Sequence, residues 1–130
     1  MVFFSYPLYN IINTKDADNM NIDFNDIEEK TNHHYWDGDG DFLARIYNDG
    51  LNKILKGTLK KGCSIGLHKH DNTSEIIYVI SGNGVVHCDG VTKMLSQGDC
   101  HYCKDGSSHS LSNPFDDDFV FFAVIPNHFK

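Results

Sequence analysis

The sequence is short of positive charge. Its 130 residues include 11 lysines and arginines against 18 aspartates and glutamates, which gives a formal net charge of −7 at pH 7. The only arginine is Arg45. Because nucleic acids and anionic membrane surfaces select basic proteins, we expect neither as a partner. The sequence also lacks any apolar run near the ~20 residues that a membrane-spanning helix needs.

The N-terminal segment lacks the features of a secretory signal. The apolar stretch MVFFSYPLYNIIN has no basic residues before it and is interrupted by Pro7 and Asn10. A secretory signal combines a basic region with an uninterrupted apolar core. We therefore expect this segment to be part of the fold and the protein to be cytoplasmic.

The cysteines do not form a disulfide framework. There are four, at Cys63, Cys88, Cys100 and Cys103, in a chain that has enough apolar residues for a core. Cys100 and Cys103 make one CxxC, a spacing found in half of a zinc site or in a redox pair. The second CxxC of a zinc site and the βαβ context of a redox motif are both missing. The pattern favours free thiols on a half-buried strand.

Helical periodicity is almost absent as well. From residue 42 onward the chain alternates between short apolar runs and turn residues, from FLARIY to a final FVFFAVI, and about nine or ten strands are expected. Short strands at regular spacing predict an all-β sandwich or barrel, and the length suits one domain. We expect the barrel to span residues 42–130. Residues 1–41 are expected to form an N-terminal arm and an irregular extension that pack on it.

Two histidines lie one residue apart in the stretch from Gly62 to Gly82. On a β-strand, His68 and His70 share one face. A short loop rich in Asp and Asn follows, as a hairpin requires, and it brings Glu75 back beside His70 on the next strand. Two imidazoles and a carboxylate that converge on one point make a metal-binding arrangement.

Alternation along the same strands predicts what surrounds this point. The face of His68 and His70 also carries Ser64 and Gly66, whose small size leaves room for a ligand to enter. The opposite faces of the two strands are apolar, and strands that are apolar on both faces are buried on both. We expect the N-terminal arm or another subunit as the second cover, and hence a homodimer. The opposite-face residues are Cys63, Ile65, Leu67, Ile76, Tyr78 and Ile80.

Two motifs resemble those of the cupin superfamily, in its small single-domain (monocupin) form. The first runs from Gly62 through the His68-Lys69-His70 triplet and Glu75 to Gly82, with the family's spacing throughout. The second runs from Gly98 through Lys104-Asp105-Gly106 and His109 to Asn113, with Lys104 where the family prefers proline. The resemblance implies a double-stranded β-helix, or jelly roll, that holds one divalent metal inside the barrel. It also implies the ligands His68, His70, Glu75 and His109.

Three neutral imidazoles and one carboxylate suit a divalent transition metal such as Fe, Mn, Ni or Zn. The set leaves one or two coordination positions for water or substrate, which is typical of a reactive site. We therefore expect an enzyme, namely a dioxygenase, isomerase, lyase or decarboxylase that acts on a small oxygenated acid, sugar or enediol. A non-catalytic cupin that binds or senses a small molecule is the alternative. A storage or structural protein would not be expected to keep the full ligand set.

Five further residues are candidates for catalysis or for substrate binding. Arg45 would anchor a substrate carboxylate if it pointed inward, although a surface position is favoured. The other four lie on strands that flank the predicted site, where any of them would act as an acid, a base or a partner of a ligand. They are Tyr78, His87, His101 and Tyr102.

Overall fold

The computed structural model describes residues 21–129, so residues 1–20 of the predicted N-terminal arm and extension lie outside the described residues. Ten β-strands dominate this part of the chain, and the only helical segments in it are two short 3-10 turns, Phe24–Asp26 and Tyr35–Asp37. No helix in it is long and apolar enough to cross a membrane. The strands are β1 (Lys30–His33), β2 (Asp41–Asn48), β3 (Asn52–Leu59), β4 (Ser64–Lys69), β5 (Glu75–Ser81), β6 (Asn83–Cys88), β7 (Val91–Ser96), β8 (Cys100–Cys103), β9 (Ser108–Ser112) and β10 (Phe119–Pro126).

The strands form two antiparallel sheets that face each other. The first has six strands in the order β1-β2-β3-β10-β5-β8, and the second has four in the order β4-β9-β6-β7. Strands that are far apart in sequence are neighbours in both sheets, as in a double-stranded β-helix. The all-β jelly-roll prediction is therefore confirmed.

The core lies between the inner faces of the two sheets. Strand β10 occupies the middle of the larger sheet, and its alternate residues Phe119, Phe121 and Ala123 are buried. Leu55 and Leu59 of the neighbouring strand β3 are buried beside them. A fully buried Leu or Phe side chain contributes roughly 2–3 kcal/mol. The alternating pattern of these strands therefore supplies much of the stability of the barrel.

One strand lies in the stretch that the sequence pattern left irregular. Strand β1 pairs with β2 in an antiparallel register, with Lys30 opposite Ala44 and His33 opposite Asp41. Its four residues are mostly polar and exposed, so they carry no apolar alternation that would reveal a strand. The division into residues 1–41 and 42–130 stays a prediction, and β1 joins the larger sheet from before that boundary.

A bulge on β4 corrects the predicted alternation of that strand. The pairing with β9 shifts register between Ile65 and His68. As a result Ile65 is buried in the core, although the simple alternation placed it on the outer face, whereas Leu67 is 63% exposed. A bulge adds one residue to a strand and reverses the side-chain alternation beyond it. With this bulge, His68 points inward and lies opposite His109 of β9.

The outer face of the larger sheet carries apolar side chains, as the alternation of β5 predicted. Ile76, Tyr78 and Ile80 are 38–47% exposed, whereas Ile77 and Val79 between them are buried. The predicted second cover of this face, and with it the homodimer, stays a prediction.

Candidate metal centre

Four side chains meet inside the barrel at one end of the two sheets. His68 lies on β4, His70 follows directly after it, Glu75 begins β5 and His109 lies on β9. Their potential ligand atoms all lie within 4.8 Å of one another. His109 and Glu75 are buried at 0% and 8% exposure. The structure thus brings together the four residues that the cupin motifs indicated.

Backbone hydrogen bonds hold this cluster in place. The His70 amide donates to the carbonyl of Ser107, and the Gly106 amide donates back to the carbonyl of His70. These bonds join the loop after β4 to the loop before β9, so the ligands from both strands are fixed relative to each other. At the tip of the hairpin, Asn72 takes a positive φ of 61°, and its amide donates to the Asp105 carboxylate. Asn is among the few residues that adopt this conformation readily.

The outer nitrogen of each histidine is already engaged. Nδ1 of His68 lies 2.8 Å from the carbonyl oxygen of Gly66, which only accepts, so this nitrogen carries the proton. Nδ1 of His70 lies 3.0 Å from the hydroxyl of Thr73. Nδ1 of His109 lies 3.0 Å from Nε2 of His101. Such partners fix the ring orientation of metal-binding histidines and leave Nε2 for the metal.

The distances within the cluster fit a metal ion. Nε2 of His109 lies 3.1 Å from Nε2 of both His68 and His70, and Oε1 of Glu75 lies 2.9 Å and 3.1 Å from Nε2 of His109 and His70. Donor atoms on neighbouring corners of an octahedron with bonds of about 2.1 Å lie about 3.0 Å apart. Hydrogen bonds alone do not account for the arrangement, because one ring nitrogen carries at most one proton. The donor set therefore suits a cation at its centre.

The charge states of two ligands also suit a metal. Burial raises the pKa of the Glu75 carboxyl, but the neighbouring imidazoles of His109 and His70 together lower it by more, so its pKa falls well below the ordinary value. Burial lowers the pKa of His68 to about 4. At neutral pH Glu75 is therefore ionised and His68 is uncharged, and these are the forms that bind metal ions.

Trp36 forms a wall beside the cluster, which the sequence analysis missed. Its ring stacks on His68 with a centroid distance of 5.3 Å and an interplanar angle of 16°. The backbone of Trp36 is left-handed, with φ at 54°, which is rare and strained for a bulky side chain. Gly66 makes the approach possible, since a Cβ there would lie 1.8 Å from the Trp36 carbonyl oxygen. The space at Gly66 is thus filled by this loop, whereas the sequence analysis expected it to admit a ligand.

A cavity of about 250 Å³ opens next to this cluster of three histidines and a glutamate. Tyr35, Trp36 and Phe42 line it on one side, and His68, His70 and Glu75 lie on another. Lys53 also lines it, although its side chain is only 4% exposed. Burial lowers the pKa of Lys53 to about 8, and the negative charge of Glu75 acts in the opposite direction.

Lys53 was not among the predicted site residues. A signal was present in the sequence, because Lys53 shares its strand face with Leu55, Gly57 and Leu59, all of which are buried. A lysine at an inward position of a strand is uncommon and is usually paired or functional. The run around Lys53 carries no motif, so the sequence pattern predicted only a strand there.

Of the five further candidates, only His101 reaches the cluster, through its contact with His109. Tyr78 and Tyr102 are 47% and 55% exposed, because both point outward from the larger sheet. His87 is exposed, and its Nδ1 lies 2.7 Å from a threonine hydroxyl on the neighbouring strand. Arg45 points away from the cavity and donates to the backbone carbonyls of residues 24 and 27. These four therefore do not contact the proposed ligands.

The four cysteines are free thiols, as predicted. Cys100 is exposed and Cys103 is buried, because residues three apart on a strand point to opposite faces. The CxxC therefore does not act as one chelating pair.

Relatives of this chain include proteins named for oxalate. An oxalate-binding protein from Thermotoga maritima is 42% identical over 67 residues, which cover 52% of this chain and 55% of that protein. An uncharacterised protein from Methanocaldococcus jannaschii is 26% identical over 80 residues, or 58% of this chain and 64% of that protein. This chain thus matches between about half and two thirds of the length of these curated relatives.

Solved structures and a family profile agree with the fold. The crystal structure of a predicted oxalate decarboxylase from Thermotoga maritima superimposes with a TM-score of 0.78 and 28% identity, over 83% of this chain and 99% of that one. The family profile described as "Cupin domain" matches residues 56–125, which is more than half of the chain and includes all four clustered residues. The chain therefore belongs to the cupin family.

Proposed function

We propose that this protein binds one divalent transition metal ion, of the group Fe, Mn, Ni and Zn, through His68, His70, Glu75 and His109. In the same cavity it binds the anion of a small oxygenated acid. When bound, the metal supplies Lewis-acid attraction for the oxygens of that anion. The proposal is carried by one observation, which is that three of the four clustered residues, His68, His70 and Glu75, line the same cavity as the buried Lys53.

The buried ammonium group of Lys53 gives this cavity a positive charge that an anion would complement. An ammonium group inside a barrel loses its hydration, as the lowered pKa of Lys53 shows. A ligand with two acidic groups would place one on the metal held by the cluster and the other against the Lys53 ammonium. Such a ligand would be a short dicarboxylate, of which oxalate is the smallest. The names of the Thermotoga maritima matches, in the curated proteins and in the solved structures, agree with this chemistry.

Other groups of the cavity suit a small polar ligand that must be kept from water. Burial raises the pKa of Tyr35, so its hydroxyl stays protonated and is a donor to an anion. The rings of Trp36 and Phe42 make the rest of this wall apolar. An apolar wall with a few converging polar groups is typical of a small-molecule site, where it strengthens each electrostatic contact.

As an enzyme, the protein is best suited to a lyase reaction, the decarboxylation of such an acid. Loss of CO₂ leaves a carbanion-like product that must take up a proton. Lys53 has a pKa of about 8, so it is mostly protonated at neutral pH. A general acid works best when its pKa lies close to the working pH, and the pKa of Lys53 meets this condition near neutral pH. Its role would be to hold the acid and to return a proton to the product.

The test begins with protein that has been stripped by a chelator and reloaded with Mn(II), Fe(II), Ni(II) or Zn(II). Calorimetry then measures oxalate binding, and release of CO₂ measures turnover. We expect oxalate to bind only to the loaded protein, and Lys53→Met to weaken binding at least about 10-fold, since hydrogen bonds to charged groups contribute roughly 1.5–3 kcal/mol. Lys56→Met is the matched control, because Lys56 is an exposed lysine on the same strand.

Two results would contradict the proposal. One is oxalate binding of equal strength to stripped and loaded protein, and the other is an equal effect of Lys53→Met and Lys56→Met. Formate, which has a single carboxylate, serves as a ligand control and should bind more weakly than oxalate.

Non-catalytic binding is the second candidate function. It is favoured by the cavity composition, because a carboxylate that could act as a general acid or base is scarce there. The lining residues include only two carboxylates, Glu75 and Asp71, and Glu75 is assigned to the metal. Metal-dependent oxalate binding without CO₂ release, with every metal of the series, would select this candidate over the lyase.

A further inference from the structure

A second cluster of metal-binding side chains lies behind the first. A ring nitrogen of His101 and the Sγ atoms of Cys88 and Cys103 all lie within 4.8 Å of one another. Cys103 is fully buried, and the other two side chains are half-buried. None of these three residues has a place among the four ligands described above.

The strand register explains why the two thiols meet. Cys88 on β6 pairs directly with His109 on β9, and Cys103 on β8 pairs directly with Glu75 on β5. Directly opposite residues on antiparallel strands point to the same face of the sheet. Because His109 and Glu75 point inward and meet, Cys88 and Cys103 also point inward and meet, although they belong to different sheets.

Contacts already join the members of this cluster. The Sγ atoms of Cys88 and Cys103 lie within 4.8 Å of each other. Nε2 of His101 lies 3.0 Å from Nδ1 of His109, so His101 stands between the two clusters. The arrangement therefore exists in the fold without rearrangement of the backbone.

We propose that Cys88, His101 and Cys103 form a second metal site, which binds a thiophilic d10 ion, Zn(II) or Cu(I). Two thiolates and one imidazole are a soft donor set, which selects these ions over the Mn(II) or Fe(II) that suit carboxylate and imidazole ligands. Three protein ligands leave a fourth position open. Binding displaces one proton from each thiol, and with Zn(II) the two thiolates balance the charge of the ion. The inference does not depend on the function proposed for the first site.

The acid–base state of the thiols sets the conditions for the test. Burial, with a smaller contribution from the neighbouring Cys88, raises the pKa of Cys103 to about 12. The thiols are therefore protonated at neutral pH, and a metal must displace their protons. Affinity should then increase with pH, so the measurements are best made at about pH 8 with a reductant present.

Co(II) is a suitable probe, because it substitutes for Zn(II) and gives near-ultraviolet absorption only when thiolates bind it. The first cluster has no sulfur ligand, so this absorption reports on the second site alone. We expect the full-length reduced protein to show it. Cys88→Ser and Cys103→Ser should each weaken Co(II) binding at this site about 100-fold or more, whereas Cys100→Ser, which changes an exposed cysteine, should leave it unchanged.

Two further variants make the result decisive. His68→Ala alters the first cluster and should leave the thiolate absorption in place. Cys103→Ala removes the same sulfur without burying a hydroxyl, so it replaces Cys103→Ser if the serine variant does not fold. The proposal is overturned if the reduced wild-type protein shows no thiolate absorption with Co(II). It is equally overturned if the absorption survives in both the Cys88 and the Cys103 variants.

Discussion

Replacing Lys53 with methionine removes a buried ammonium group and keeps an unbranched side chain that fits the same space. Burial lowers the pKa of this lysine from 10.5 to about 8. At about 1.4 kcal/mol per pKa unit, the charged form costs the folded state roughly 3 kcal/mol at pH values well below 8. The attraction of Glu75 is already part of that value. Methionine also loses the polar contacts of lysine, so we expect a net gain of about 1–3 kcal/mol in the free energy of unfolding.

The change of stability with pH should differ between the wild type and Lys53→Met. Between pH 8 and 10.5 the unfolded chain keeps the lysine proton, whereas the folded chain has released it. Stability therefore rises with pH in this window for the wild type, because the unfolded state binds more protons. Lys53→Met lacks this rise, so the gain from the substitution should be largest near neutral pH and should vanish near pH 10.5.

Urea denaturation of metal-stripped protein at a series of pH values measures this directly, with Lys56→Met as control. A bound cation would lower the pKa of Lys53 further, so the gain should increase when the protein is loaded with metal. If Lys53→Met were less stable than the wild type by 1 kcal/mol or more at pH 7, the charge of Lys53 would not be the dominant cost. If the two proteins showed the same pH dependence, the argument from burial would be refuted.

Three more outcomes are expected. Gly66→Ala places a Cβ 1.8 Å from the Trp36 carbonyl oxygen, so it should lower the free energy of unfolding by about 1–3 kcal/mol. It should also change the fluorescence of Trp36, the only tryptophan. Unchanged emission and stability would contradict this packing. His109→Ala should lower metal affinity about 100-fold or more in a chelator competition. The circular dichroism signal of the β-strands should remain, because most of the core lies elsewhere. Loss of that signal at room temperature would refute this expectation. In metal-stripped protein, the free energy of unfolding should fall from pH 6.5 toward pH 4, since the unfolded chain binds the proton that folded His68 excludes. His68→Gln should reduce this dependence of stability on pH. An unchanged dependence would assign it to other groups.

Short-range patterns in the sequence were sufficient for the fold class and for three of the four proposed ligands. Alternating apolar residues between turn residues predict short strands, and the inner residues of β10 and β3 follow that alternation. His68, His70 and Glu75 lie within eight residues, where one hairpin decides their relative positions. His109 is distant in sequence, and only the resemblance of its motif to the cupin pattern linked it to the other three.

Residues whose role depends on pairing between distant strands were harder to predict. Four of the five further candidates were chosen because their strands flank the site, but Tyr78 and Tyr102 lie at outward positions of those strands. Lys53 was missed for the opposite reason, since it lies inward on a strand that carried no motif. A side chain's direction depends on register, and one bulge, such as that on β4, reverses it.

The sequence by itself determined that the chain folds as an all-β barrel or sandwich and that His68, His70 and Glu75 converge, and the resemblance of its two motifs to the cupin pattern implied the jelly roll and added His109. Alternation, turn residues and motif spacing are local properties, so they can be recognised without coordinates. Only the tertiary structure decided that Trp36 stacks on His68, that Lys53 shares the cavity, and that Cys88 and Cys103 meet behind the ligands. These contacts join segments far apart in the chain, and their existence depends on strand register and on how the two sheets pack.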